Sequence, residues 1–532
     1  VEQADQGTHR DGAAEIFSIV EALIGRRNYG WGVRELADHL GANRSTVNRL
    51  LSRLVEERLA SRDVSGAYVI GPRLKVLATT IQENHPLFVA GGRILSHLSA
   101  TTGATAVLAV ESPKPEECFV LVSKEPTSPV RYTLPAGTTL PTHAGALGLA
   151  ILSRRGTAGL SKHLKTFTAD SRTDVNGIQE VLDRYADLNA VVSIGQHIPD
   201  AAGIAVPLTI TKSVTGSISV SRPRNEFRES DIVSVARLLN RAAAELEANL
   251  DAQYPVADPS VQTPNPSTTL IQRISRLLTA LCANPAEELN MQYLTTVMGT
   301  RSVATRRLID AACEAGLMTS SQTSSFSAGP TLLRWAAALG CSTSLQNLID
   351  EDLQALSADT GETVGLAIYD HETQNAHFAS TYSAVRTIQY VLELDSQIPL
   401  HAGAAGKAIL AHLPEQLRPG ALKSFTERTI TDPKILTREL GIIRTRGWAA
   451  GDGERIPEAY GVAAPFFING LIGGSITITI ARYRIDEVSA DKLAEAIVST
   501  ARKVTELLSI TDSSPKAIKS GRSCKVETRA AL

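Results

Sequence analysis

Arg44, Ser45, Thr46, Asn48 and Arg49 share the polar face of a predicted helix whose opposite face is Val47, Leu50, Leu51, Leu54 and Val55. Guanidinium forks with short hydroxyl and amide side chains are the groups that hold phosphates and read base edges in duplex DNA. Arg34, Arg53 and Arg62 complete the set expected to face DNA. A second cluster is the loop Pro399-Leu-His-Ala-Gly-Ala-Ala-Gly-Lys-Ala-Ile-Leu, whose small side chains let a ligand approach the backbone. The helix expected after it offers N–H groups to an anion. This loop is not a P-loop: His401 stands where the earlier glycine is required, and Ala408 where Ser or Thr must follow Gly-Lys. Ser475, Thr477 and Thr479 alternate with Ile476, Ile478 and Ile480, a strand with one hydroxyl and one apolar face.

Other chemistries find no apparatus. There is no G-x-S-x-G, no H-E-x-x-H and no carboxylate pair at catalytic spacing, so no catalytic residue, metal site or cofactor is expected. His143 and His401 recur in like settings, but each reads as a packed histidine beside an apolar segment. Cys118, Cys282, Cys313, Cys341 and Cys524 are scattered with no C-x-x-C pair, which fits a reducing compartment. No apolar run approaches the roughly 18 residues of a spanning helix. The first thirty residues lack a basic-then-apolar export layout, so a cytoplasmic location is expected. The net charge of -2 announces no partner by itself.

The elements that must position these residues are written twice. A constant offset of 258 places Ile16, Ile19, Val20 and Leu23 on Ile274, Leu277, Leu278 and Leu281, and Gly41 on Gly299. It also places Gly71-Pro72 on Gly329-Pro330, His143-Ala-Gly145 on His401-Ala-Gly403, and Gly203 on Gly461. Each copy begins with a helix stripe at 16–24, a short helix ending at Gly41, and the polar-faced helix three residues later. This is a helix-turn-helix layout. Strand, turn and strand follow over Leu59–Ile70 as a wing. The remainder of each copy mixes helices with strands expected at 105–110, 118–123 and 214–220, matched by 363–369, 376–381 and 471–480.

The expected domains are therefore a winged helix-turn-helix at 13–74, a sensor-like domain at 86–250 and a Pro-rich linker at 251–267. A second, degenerate winged helix at 268–332, a second sensor domain at 344–510 and a disordered tail at 512–532 complete the chain. The fold class is α+β, with the pair present twice. Residues 26–75 hold ten Arg/Lys against five acids, a balance of +5, whereas the copy-two window 284–333 has three against four, a balance of -1. Local positive charge is the footprint of phosphate contact. The copy-two module either binds DNA weakly or is a scaffold paired with copy one, and the scaffold is the expectation.

Gly32 to Leu74, with ANRSTVNRLLSRLVEERLASRD and GPRL, resembles the winged-helix module of the IclR family of bacterial transcriptional regulators. In copy two, IPLHAGAAGKAILAHL, TERTITDPKIL, RTRGWAAGDGE and YGVAAPFF resemble that family's effector-binding domain. The resemblance implies a GAF-like α/β effector domain with an antiparallel sheet, binding a small organic acid. It also implies dimers through the DNA-binding modules, assembling further into tetramers. Carried over, the pocket would use Ala404 and Ala405 in the small-residue loop, with Ile398 as an apolar wall. Asp452 lies within one residue of the family's acidic position, and Gly461 stands where some members have cysteine. Thr477 and Thr479 match two serines that hydrogen-bond the ligand's carboxylate. In copy one these are Ser219 and Ser221, and Ala146 and Leu147 match the loop. Copy one departs at Leu149, where the motif has lysine, and at Ser193-Ile194-Gly195-Gln196, which replaces the acidic loop.

The expectation is a DNA-binding regulator of double-stranded operator DNA, modulated by a small organic acid, with no membrane partner. Copy one would keep the DNA face and copy two the fuller sensor, in an intrachain pseudo-dimer with a homodimer as the further assembly. The alternative is a small-molecule sensor acting through protein partners, with vestigial DNA-binding modules.

Overall fold

A computed structural model describes residues 12–26, 29–63, 65–128, 131–158, 160, 164–211, 214–250, 269–285, 288–321, 325–340, 345–383, 394, 396–418, 420–485 and 489–509. The expected linker and tail lie outside these residues. The chain forms two compact units, 1–343 and 344–532.

The first unit opens with α1 (Gly12–Gly25), α2 (Val33–Leu40) and α3 (Arg44–Glu56), then the antiparallel hairpin β1 (Ala60–Arg62) and β2 (Tyr68–Ile70), then α4 (Pro72–Asn84). The turn between α2 and α3 needs a left-handed residue, and Gly41 supplies it with φ of 60°. Asn43 caps α3, its side chain accepting from the Ser45 backbone N–H at 2.9 Å. Val47, Leu50, Leu51 and Leu54 of α3 are buried against the apolar stripe of α1. The indole Nε1 of Trp31 donates to the Ala22 carbonyl at 2.9 Å, fastening the loop before α2 to α1.

The sheet domain of copy one follows. It comprises α5 (Pro86–Thr102), β3 (Thr105–Glu111), β4 (Glu117–Lys124), β5 (Thr139–Pro141), α6 (Ala146–Arg155), α7 (Val175–Asp183), β6 (Val191–Ile194), β7 (Ala201–Thr211), β8 (Val214–Pro223) and α8 (Ile232–Leu250). Its six strands run in the order β5-β4-β3-β8-β7-β6, every neighbour antiparallel. Helices α5 and α8 cover one face with a core that includes Leu95, Leu98, Leu239 and Leu246. On the other face α6 buries Leu147 and Ile151 against Val107, Ala109 and Val120.

Copy two repeats the winged helix as α9 (Leu270–Ala283), α10 (Met291–Met298), α11 (Ser302–Glu314), β9 (Met318–Ser320), β10 (Phe326–Ala328) and α12 (Pro330–Leu339). These elements belong to the first compact unit, where α4 packs on α12 and α9 while α1 packs on α11 and α12. One continuous core runs through both winged helices.

The second unit holds α13 (Leu345–Thr360), β11 (Thr363–Asp370), β12 (Asn375–Tyr382), β13 (Gln397–Ile398), α14 (Ala404–Leu410), α15 (Pro433–Arg446), β14 (Ala449–Asp452), β15 (Ala459–Ile468), β16 (Leu471–Ala481) and α16 (Ala490–Leu508). Its strand order, β13-β12-β11-β16-β15-β14, is that of copy one shifted by one repeat. The register agrees as well: Thr105 pairs with Ser221, and Thr363 with Thr479. Strands expected at 105–110, 118–123, 214–220, 363–369, 376–381 and 471–480 all form, each of them longer than expected at one or both ends.

Candidate functional site

The polar face of α3 is open. Arg44, Ser45, Asn48, Arg49 and Arg53 are exposed, and Thr46 is half-buried at the shoulder of the helix. The Ser45 hydroxyl donates to the Asn43 side chain at 2.8 Å, so Asn43, absent from the expected set, orders the first turn. Arg34 is exposed on α2. Arg62 lies on the wing with its guanidinium 4.8 Å over the Tyr68 ring and 2.5 Å from the Tyr68 hydroxyl, which braces it beside the helix. Arg26 pairs with Glu35 at the start of α2, and the first turn of α3 carries no acid.

In the second unit a cleft of about 500 Å³, counting its open mouth, lies between the sheet and the loop that begins α14. Ile398, Ala404, Ala405, Gly461, Thr477 and Thr479 line it together, as do Phe378, Glu454 and Arg455. The hydroxyl face of β16 thus turns inward. Ser475, which does not line the cleft, donates to the Ala405 carbonyl at 3.0 Å and ties the sheet to the start of α14. Close approach is enforced by glycine: a Cβ on Gly451 would stand 2.6 Å from the Ala404 nitrogen, and one on Gly406 would stand 2.1 Å from the Pro399 carbonyl oxygen.

Asp452 does not line this cleft. Its carboxylate accepts from Arg428 at 2.5 Å and from Arg482 Nε at 2.5 Å. The acid at the cleft is Glu454, two residues on. One of its oxygens accepts from the Gly403 N–H at 2.9 Å and the other from the Lys407 ammonium. Lys407 is almost fully buried, and Glu439 lies 3.8 Å away. The chain therefore supplies its own carboxylate to the turn that the sequence suggested would offer N–H groups to an anion. Glu454 being neutralised by Lys407, Arg455 sets the net charge of the lining. His401 is held through its ring Nε2, 2.9 Å from the Lys423 carbonyl oxygen, and its ring lies tilted against that of Phe425.

Copy one carries the equivalent cleft, about 460 Å³, lined by Ala146, Leu147, Gly203, Gln196, His197 and Ser221 among others. Ser219 does not line it; its hydroxyl is fully buried and without a hydrogen-bond partner. Leu149, Val181 and Gln196 occupy the places of Lys407, Glu439 and Glu454, so the whole ionic cluster has become neutral. Ser193 donates to the Gln196 side-chain oxygen at 3.1 Å. His197 stands in place of Arg455, and burial, with His143 adding to it, pushes its pKa down. His143 accepts from the Lys165 N–H at 3.0 Å. Glu454, Lys407, Arg455 and His197 were not among the expected site residues, although the sequence showed Leu149 in place of the motif lysine and Ser193–Gln196 in place of the acidic loop. The usable signal was the joint exchange of Lys407 and Glu454 for Leu149 and Gln196 between copies.

Among the described residues no helix is long and apolar enough to cross a membrane. The sequence profile of the family described as "Bacterial transcriptional regulator IclR C-terminal" matches residues 79–248 and again 341–506. That of the "IclR helix-turn-helix domain" matches residues 16–64. Among curated proteins, the chain is 30% identical over 210 residues to HTH-type transcriptional regulator BhcR of Paracoccus denitrificans, 38% of this chain and 75% of that one. It is 27% identical over 172 residues to Transcriptional repressor IclR of Escherichia coli, 31% of this chain and 62% of that one. A crystal structure of a transcriptional regulator from Alicyclobacillus acidocaldarius aligns at 24% identity and a TM-score of 0.42, over 45% of this chain and 99% of its own. The matched families and these curated relatives are transcriptional regulators, not enzymes.

Proposed function

The chain belongs to the IclR family of transcriptional regulators and carries that family's helix-turn-helix DNA-binding domain, and on that premise we propose that its operator binding is governed by a small organic acid held in the copy-two cleft. The observation that carries this reading is the lining of that cleft. Arg455 is the cation of the lining and forms no ion pair among the described residues, Thr477 and Thr479 supply hydroxyls, and Phe378 and Ile398 supply apolar walls. A cation with a few convergent polar groups in a mostly apolar cleft is the pattern of a small-anion site. The copy-one cleft lacks the cation and is the weaker acid site.

Operator contact falls to α3, through Arg44, Ser45, Thr46, Asn48 and Arg49, with Arg34, Arg53 and Arg62 on phosphates. The module of copy two packs beside it within the chain as a pseudo-dimer. Such a regulator acts in the cytoplasm, beside its DNA. The acid shifts operator affinity only so far as it binds the two placements of the reading modules unequally.

A gel-shift titration against the chain's own upstream DNA, at low and moderate salt, tests the DNA arm. Arg44→Ala/Arg49→Ala is expected to abolish the specific shift, since each base-edge contact contributes about 1–3 kcal/mol. Wild-type affinity is expected to fall steeply with salt. Calorimetric titration with short mono- and dicarboxylates tests the effector arm, with Arg455→Ala weakening binding roughly tenfold or more for the loss of a charge-assisted hydrogen bond. A wild type that shifts no DNA yet binds a carboxylate would instead favour a sensor acting through protein partners.

A further inference from the structure

The two winged helices do not meet as equals. Residue 82 of copy one and residue 340 of copy two are the same position in the repeat, and they meet each other where α4 packs on α12. A position that meets its own equivalent lies on the pseudo-two-fold axis of the pair. On that axis copy one has glutamine and copy two has glycine. The Gln82 amide fills the side-chain space of Gly340: a Cβ built there would stand 2.2 Å from Gln82 Cδ. From that seat Gln82 Nε2 donates to the Ala336 carbonyl at 2.8 Å.

The off-axis contacts are unlike as well. Glu21 on α1 accepts from Arg334 and, at 2.5 Å, from the Trp335 indole. At the mirrored position Thr279 on α9 accepts from Arg73 at 3.0 Å. These polar contacts alone do not choose the partner, because Arg73 would meet a second Glu21 in a pair of copy-one modules. The axial position does choose. Two copy-one modules would bring two Gln82 amides into the space that holds one, and two copy-two modules would leave that space empty.

The recognition helices differ in the same way. Where α3 begins with Asn43, Arg44 and Ser45 and continues to Asn48, copy two has Arg301, Ser302, Val303 and Arg306, all exposed. Val303 offers methyl groups of the kind that contact a thymine methyl, where Ser45 offers a hydroxyl.

We propose that the reading unit is this unequal pair within a single chain, and that its operator is correspondingly asymmetric, with two unlike half-sites on double-stranded DNA. The operator part rests on the DNA-binding reading above; the pairing part does not. Copy two is then a second reader of different sequence preference, and no second chain is needed to complete the pair.

The pairing is tested without DNA, by thermal melting of the full chain. Gly340→Gln is expected to lower the melting temperature of the first unit by about 2–8 °C, as overpacking does. Gln82→Gly/Gly340→Gln, which moves the amide to the other side of the axis, is expected to recover most of that loss. A single variant as stable as wild type, or a swap no better than the single, overturns the unequal fit. The operator is tested by selecting bound sequences from randomised duplex DNA and weighing the complexes. The expected result is one chain per duplex and two unlike sequence blocks about one helical turn apart, one of which disappears in Arg306→Ala/Arg307→Ala. A palindrome held by two chains, or a single block indifferent to that variant, overturns this inference alone. Failure of wild type to select any sequence overturns the operator part together with the DNA-binding reading, while leaving the swap result to decide the pairing.

Discussion

Lys407 and Glu454 form a buried ion pair that the first copy has exchanged for Leu149 and Gln196, with Val181 in place of Glu439. Two charges taken out of water are favourable only together, so removing one partner is far worse than replacing both. Glu454→Ala is expected to destabilise the second unit by about 3–5 kcal/mol. Lys407→Leu/Glu454→Gln, which installs the copy-one residues, should recover most of it, as read by urea unfolding. A second residue-scale expectation concerns His85, the N-cap of α5, whose Nδ1 accepts from the Leu87 N–H at 3.2 Å. Burial pushes its pKa from 6.5 down to about 4, so the unfolded chain takes up the proton first as pH falls. Its contribution to stability is full above pH 6.5 and is lost between there and about pH 4. Part of the residue still meets solvent, which holds the loss near pH 5 to about 1 kcal/mol. His85→Asn keeps a capping side chain without the titration, and melting curves across that range should lose this component of their pH dependence.

At the scale of elements, α6 and α14 each sit so close to the strand before them that only glycine fits the contact. A Cβ on Gly148 or Gly406 would lie 2.1 Å from the carbonyl oxygen of Pro141 or Pro399, and a backbone carbonyl cannot swing away. Gly406→Ala is expected to cost about 3 kcal/mol or more and to abolish carboxylate binding, with Gly148→Ala equally destabilising but leaving that binding in place. Unfolding and titration of the two variants side by side check this. Much of the architecture could be read beforehand because it is periodic. The α1 stripe, the Gly41 turn, the alternation of β16 and the 258-residue offset are all patterns along the chain. What escaped were facts about phase and partner. Asp452 looked like the acid of the cleft because nothing in the GDGE loop reveals which way each residue points. In β14, Gly451 is buried toward α14 and Asp452 turns the other way, so the acid that lines the cleft is Glu454 and not Asp452. Gln82 and Gly340 carry no periodic signal, because their fit exists only once two distant helices cross.

At the scale of the whole molecule, the two copies differ in where their charge lies: residues 26–75 carry a balance of +5 against -1 for residues 284–333, while the Lys407–Glu454 pair and Arg455 belong to the copy-two cleft alone. The copy-one cleft has Gln196 and His197 where the copy-two cleft has Glu454 and Arg455, so its lining lacks the permanent cation. The packing of both winged helices into one compact unit has a further consequence, and it concerns dilution. A reader assembled from two separate chains loses its partner as it is diluted, so below its dimer dissociation constant operator occupancy falls with the square of concentration. In the proposed single-chain reader the partner would be covalently present, in the same compact unit, at a fixed effective concentration that dilution does not lower. Fluorescence anisotropy on trace labelled operator is therefore expected to give a Hill slope of about one at every protein concentration; a slope rising toward two at the lowest concentrations would contradict it. Halving the concentration of this protein would therefore halve the occupancy of an unsaturated operator rather than quarter it, so occupancy would follow the protein's concentration in proportion.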